Sequence, residues 1–465
     1  MLYEKYLQVI DDKSAEICAL SDYIWENAEP AYHEFKSSKR LADALEANGF
    51  TVTRKLIGIP TAFKATYGEG HPAFGILAEF DALEGLSQEA GATEPKPIEG
   101  QNYGHGCGHN LFAGGSFAAA LAVKAFLEEK GSGSVTLFGC PAEEGGGGKT
   151  FMARDGVFKG IDAFVSWHPE RMFMPRTRPS LAATSVDYSF KGIAAHAGGA
   201  PHRGRSALDA VELMNVGANY LREHMETTSR LHYAMIDSGG TAPNVVQAHA
   251  TVRYMIRAVD SLSLSKLVAR VDKVAQGAAL MTETEMSKQM LPAYQSLITN
   301  SVLQKTAYEA MSDIPVPQPD ENDLAFGRAL QATMTLSDAD RKMPLYQSYA
   351  VAPVPPKPHG GSTDTADVSW NAPTVQMHIG NWITGTPGHS WQAVSQGKSH
   401  YAKAAMLYAG KAIAGTIFRL YEDPALMEAA KAEFLEKTES GYVSLNPPEL
   451  LPPIPPEEEW PEEYR

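Results

Sequence analysis

Gly104-His105-Gly106-Cys107-Gly108-His109-Asn110 is followed by an Ala-rich apolar run over residues 111–130 and then by SVTLFGC over 134–140. The order is loop, helix, buried strand, with a thiol and two imidazoles packed between glycines at the start. Glycine lets the backbone approach a ligand and adopt dihedrals that other residues resist. A Cys-x-His pair in that setting offers a thiolate and a neutral imidazole to a divalent metal. Read in isolation, such a pair is more often a buried thiol and a hydrogen-bonded imidazole. Upstream, residues 73–80 (AFGILAEF) form another buried strand, with Asp81 just past its end. Downstream, the strand at 134–140 runs into Pro141-Ala142-Glu143-Glu144 and four glycines, and the strand at 162–167 (DAFVSW) closes on His168-Pro169. Strands alternating with helices predict an α/β fold, with a mainly parallel sheet covered on both faces.

Placement carries more weight than any one motif. Asp81, Glu143, Glu144 and His168 each stand at the carboxyl end of a predicted strand, the edge at which open α/β sheets bind ligands. Each also has a plainer reading. Glu143-Glu144 alone is a solvated acidic turn, His168 a strand-end imidazole satisfied by backbone, and Asp81 a helix or turn cap. Ahead of the sheet, residues 3–28 read as one amphipathic helix and 35–48 as a second, followed by strands at 51–56 and 61–67.

From residue 185 the pattern becomes strand (185–192), helix (206–226), strands (231–237 and 244–258), helix (262–279) and strand (282–288). That βαββαβ order is the ferredoxin-like unit. The predicted organisation is a catalytic domain over 1–184 and 295–446, an inserted dimerisation or lid domain over 185–294, and a Pro/Glu-rich tail over 447–465. The tail is expected to be extended or poorly ordered. Within the strand at 244–258, Val252, Tyr254 and Ile256 face one side, and Arg253, Met255 and Arg257 the other. His196 sits among small residues in a loop. His389, in Gly385-Thr386-Pro387-Gly388-His389-Ser390, is a further candidate ligand. Residues 312–360 read as long loops around one helix at 323–334, and Gly360-Gly361-Ser362-Thr363-Asp364 as a compact polar turn.

Bulk properties narrow the function. A net charge of −15 over 465 residues argues against broad nucleic-acid binding. Three scattered cysteines suit a reducing compartment, and the N-terminus shows no signal-peptide pattern. No window approaches 18 uninterrupted apolar residues, so no membrane span is expected. The expectation is a cytoplasmic enzyme.

The motifs AEFDALEGLSQEAG (78–91), GHGCGHNL (104–111), GCPAEEGGGGKTFM (139–152), WHPE (167–170) and FKGIAAHA (190–197) occur in one order. They continue with GRSALDAVELM (204–214), APNVVQA (242–248), STDTADVSW (362–370) and GTPGHSWQAVSQG (385–397). Together they resemble the binuclear-metal amidohydrolases of the aminoacylase and carboxypeptidase G group over nearly the whole chain to about residue 440. The resemblance implies two divalent ions (zinc or manganese, with cobalt also suited) held by Cys107, His109, Glu144, His168 and His389, with Cys107 able to bridge. It implies Glu143 as general base, Asp81 as the carboxylate that orients the site, and His196 as a residue that reaches a partner subunit's site. Asn244 and Arg257 match positions that bind a substrate carboxylate. Glu79 departs from the wider group, where many members carry a metal-binding histidine, and the resemblance implies that His109 takes that ligand's place. The implied reaction is hydrolysis of an amide in an N-acyl amino acid with a free carboxylate, such as p-aminobenzoyl-glutamate, by a homodimer or a heterodimer with a similar subunit. Dipeptides and other N-acyl amino acids are the alternative substrates. Two further readings stay open: a subunit that depends on its partner for activity, and a thiol hydrolase with Cys107 as nucleophile.

Overall fold

A computed structural model describes residues 3–347, 351 and 361–465. Gly360 of the polar turn, and 348–350 and 352–360 of the predicted loop region, lie outside the described residues. The larger sheet has seven strands in the order Thr51–Arg54, Phe63–Glu69, Gly133–Gly139, Ala73–Ala78, Ala163–Glu170, Thr374–Gly380, Met174–Pro175. Its central four strands are parallel. The flanking strands pair antiparallel, so the sheet is mixed, with its parallel part at the core. Ala73–Ala78 and Gly133–Gly139 are buried at every position, as strands covered on both faces must be.

Helix His109–Lys130 lies against this core. It is long and apolar enough to cross a membrane, but 89% of its most apolar window is buried inside the protein, which makes it a core helix. Gly115 allows its close approach to the sheet: a Cβ there would sit 2.6 Å from the Trp167 ring. Helix His400–Glu422 packs beside it, and Phe126 stacks on Phe418 with centroids 4.5 Å apart.

The smaller sheet runs Arg230–Asp237, His249–Ala258, Ala182–Lys191, Glu285–Tyr294, all antiparallel. Helices Ala207–Glu223 and Ser261–Thr282 cover one face. Met214, Val211, Leu264 and Val271 meet Val252, Tyr254 and Ile256 in a second hydrophobic core. Arg253 lies on the other face, where Asp187 across the strand pair accepts two hydrogen bonds from it at 2.7 and 2.8 Å.

Several expectations need correction. The N-terminal helix is two, Glu4–Asp12 and Ser14–Glu26, broken at Lys13. The polar run Asp11-Asp12-Lys13-Ser14 offers no apolar anchor there and competes with the backbone. Strand Thr374–Gly380 and helix Pro424–Lys437 were not read from the sequence. The tail is largely irregular but docked: Tyr464 is buried against Phe35, and Arg154 donates to the carbonyls of Pro447 and Leu450.

Candidate metal centre and cavity

The parallel strands end on one edge of the sheet, and four of the predicted residues meet there. Ala73–Ala78 delivers Glu79 and Asp81, Gly133–Gly139 delivers Glu143 and Glu144, and Ala163–Glu170 carries His168 near its end. Cys107 and His109 reach the same place from the turn ahead of the core helix. Gly108 takes φ 75° in that turn, and a Cβ on it would lie 3.0 Å from both Pro169 and Trp382. Only glycine fits such a corner. His389 arrives on a loop whose N–H donates to the Gly106 carbonyl. Both His389 (φ 53°) and Ala142 (φ 59°) occupy the left-handed region, a cost that surrounding structure must hold in place and that clusters at functional sites.

Two donor groups share one sulfur. Cys107, His109 and His168 present ligand atoms within 4.8 Å of one another, and so do Cys107, Glu144 and His389. Cys107 Sγ is 3.5 Å from His168 Nε2, and His389 Nε2 is 3.2 Å from Glu144 Oε1. On His109 and His168 the other ring nitrogen is tied back. His109 Nδ1 donates to Asp81 Oδ1 at 2.8 Å and His168 Nδ1 to the Pro169 carbonyl at 2.7 Å, which aims both Nε2 atoms inward. Asp81 Oδ2 accepts from the Glu144 backbone N–H at 2.8 Å, so one carboxylate orients two of the donors. His105 stands apart from both groups. It is a core residue at the Ile24 carbonyl, its pKa lowered by burial to about 4.

The donors fit divalent cations. His109 Nε2 and Glu144 Oε1 are buried, and each meets only one ion-pair contact at 3.2 Å, with Glu79 Oε2 and His389 Nε2 respectively, without hydrogen-bond geometry, an arrangement that a bound cation would satisfy. The electrostatics point the same way. Burial and then Glu144 push the Cys107 thiol well above its usual range, while burial, Glu79 and Glu144 do the same to Glu143. Positive charge among these groups reverses that tendency, since a coordinating thiol loses its proton. Cys107 with nitrogen and carboxylate ligands suits zinc, manganese or cobalt.

Sequence reasoning passed over a buried ion network behind the site. Lys149 Nζ lies 2.8 Å from Glu79 Oε1 and 2.5 Å from Asp364 Oδ1, with all three side chains at most 1% exposed. Glu79 Oε2 in turn lies 3.2 Å from His109 Nε2.

The donors open on a cavity of about 550 Å³, within the range of small-molecule sites. Glu143, Glu144, Cys107, His168 and His389 line it, together with Met172, Met174, Arg176, Arg178, Met343, Gln376 and Ser362. Arg257 reaches its wall through a 3.0 Å hydrogen bond to Ser362 Oγ. His196 and Asn244 do not line it. They sit exposed on adjoining loops of the smaller unit, joined by the Ala197 N–H to Asn244 carbonyl bond of 2.9 Å. The arginines over 171–178 were missed. The alternating basic residues of MPRTRP were the available signal, but they also suit a surface loop.

A family model described as peptidase family M20/M25/M40 matches residues 75–414. The chain is 43% identical to one of the subunits of p-aminobenzoyl-glutamate hydrolase from Escherichia coli (strain K12), over 94% of this chain and 95% of that one. It is 28% identical to a Xaa-Arg dipeptidase of Mus musculus, over 93% and 92%. Its fold is similar to a dinuclear metal binding peptidase of the M20 family from Bacillus subtilis, with a TM-score of 0.55 at 16% identity, covering 87% of this chain and 98% of that one.

Proposed function

The chain belongs to peptidase family M20/M25/M40 and is an amidohydrolase of the metallopeptidase class; from that premise we propose that it hydrolyses the amide bond of an N-acyl amino acid, with p-aminobenzoyl-glutamate or a similar aryl-amide of glutamate as substrate. The observation that carries the mechanism is the pair of donor groups sharing Cys107 beside Glu143. Cys107, His109 and His168 would hold one divalent ion, and Cys107, Glu144 and His389 the other. Bound there, such ions supply Lewis acidity, polarising an amide carbonyl and acidifying water near neutral pH.

Glu143 does the proton work. Its carboxylate takes a proton from the attacking water and returns it to the leaving nitrogen, so that the amide becomes an acid and an amine. Asp81 keeps His109 in one tautomer and, through the Glu144 N–H, fixes the loop carrying Glu143. Arg257, at the cavity wall through Ser362, holds the carboxylate beside the scissile amide by a charge-assisted bond. Asn244 joins that role when the smaller unit closes on the cavity. His196 reaches the site of a partner subunit, a reading supported by its exposure away from its own cavity and by a 43% identical relative that is itself named as a subunit. That partner is a second copy or a similar chain. The thiol-hydrolase alternative loses ground, because burial and Glu144 push the Cys107 thiol above its usual range, whereas a nucleophilic cysteine needs it lowered.

The test is hydrolysis of p-aminobenzoyl-glutamate by the protein alone and by Glu143→Gln. The substitution should leave metal content intact and cut kcat by roughly 10²–10⁴-fold. Unchanged turnover in the variant overturns the role of Glu143. Wild-type turnover of dipeptides or N-acyl amino acids, but not of the aryl-amide, moves the substrate to that set.

A further inference from the structure

Strand Met174–Pro175 and the residues after it bring two guanidinium groups to the cavity wall without acids to match them. The Arg176 backbone N–H donates to the Gln376 carbonyl at 2.7 Å, and its Nη1 donates to Gln376 Oε1 at 2.6 Å. This holds the side chain by a neutral partner. Burial weighs against the Arg176 charge, and the acids that support it, Glu170, Glu143 and Glu79, act only through space. Among the described residues no carboxylate oxygen lies within 4.0 Å of Arg176 or Arg178, whereas neighbouring Arg171 has Asp340 at that distance. Thr177 Oγ1 and Arg178 Nε, both in the cavity wall, are buried with no hydrogen-bond partner.

Orphaned buried donors, and half-buried cations with no counter-ion in contact, are both costly. Their concentration in three consecutive residues of one wall is accounted for by an anionic group on the ligand. A planar guanidinium fork matches a carboxylate. Met172, Met174 and Met343 line the same cavity and offer apolar contact for the methylenes that would carry it.

We infer that Arg176 and Arg178, with Thr177, form a subsite for a second carboxylate of the substrate, distinct from the one beside the scissile amide, so that the enzyme selects amides of dicarboxylic amino acids. The inference rests on the amide-hydrolase reading above and assigns its acidic specificity to residues of the larger unit.

The experiment compares kcat/KM for p-aminobenzoyl-glutamate and p-aminobenzoyl-glutamine in wild type, Arg178→Gln and Arg176→Gln. Calorimetric binding of glutamate and glutamine to the same proteins is measured alongside. Arg178 donates no hydrogen bond to the described residues, so its substitution leaves the fold supported. Wild type should prefer the glutamate amide by about 10- to 100-fold, the worth of one charged hydrogen bond. The preference should fall toward unity in either variant, and glutamate binding should weaken in parallel. No preference in wild type, or a preference that survives both substitutions, overturns the subsite while leaving amide hydrolysis standing. Arginine-dependent glutamate binding with neither amide cleaved does the reverse: the subsite stands and the hydrolase reading fails.

Discussion

Replacing Lys149 with methionine removes the ammonium that joins two buried carboxylates while keeping most of the side-chain volume. The Nζ atom sits 2.8 Å from Glu79 and 2.5 Å from Asp364, and the Lys149 backbone N–H also donates to Asp364 at 2.9 Å. Removing one partner of a buried ionic group costs about 3–5 kcal/mol, because the other charges remain without compensation. An unfolding entropy of roughly 2.1 cal/mol/K per residue gives about 1 kcal/mol/K for 465 residues unfolding together. The melting temperature should therefore fall by about 3–5 °C. The sign with pH follows from Asp364. Burial raises its pKa to about 6 even though Lys149 pulls it down. A folded-state pKa above the unfolded one means that ionisation opposes folding as pH rises. Without Lys149 that opposition grows, so the deficit should be largest at pH 8 and smaller at pH 5.5, where Asp364 takes up a proton. Thermal unfolding in chelator at both values reads this directly. A variant that melts with wild type at pH 8, or a deficit equal at both values, refutes the reasoning.

Glu34 accepts from the Tyr32 and Ala142 N–H groups and from Thr61, and burial and then Asp81 raise its carboxyl to about 8. Its ionisation opposes folding between an ordinary value near 4.5 and 8, so Glu34→Gln should gain on wild type by up to about 1.4 kcal/mol per pH unit between pH 6 and 8. A pH-independent difference in melting contradicts that. His196→Ala and Glu143→Ala should each lose activity alone and recover part of it when mixed and allowed to exchange subunits, because one intact site forms across a mixed dimer. Mixtures as inactive as their components place His196 outside the partner's site.

The centre was legible in sequence where one strand end could be recognised at a time. Asp81, Glu143 and His168 each follow or close a short apolar run, and parallel strands put all such ends on one edge. Strand Thr374–Gly380 was equally readable, since Val375, Met377 and Ile379 alternate with Gln376 and His378, yet it lay among polar loops and was passed over. Lys149 was not legible. A lysine after four glycines at a helix start looks like a solvated charge, and it takes Glu79 and Asp364, the latter 215 residues away, to make it a buried one. Arg176 and Arg178 were hidden for the same reason: the cavity that they line is assembled from strand and loop segments far apart in the chain. His196 and Asn244 were placed by resemblance, and a single chain leaves them outside the cavity.

Metal content per chain is the most direct test of the centre, measured on wild type and Cys107→Ala alongside amide hydrolysis. Two divalent ions in wild type, activity lost on chelation, and reduced metal with reduced turnover in Cys107→Ala are expected, because that sulfur serves both donor groups. Full hydrolysis by metal-free protein, or two ions bound as tightly without the Cys107 sulfur, would contradict the account.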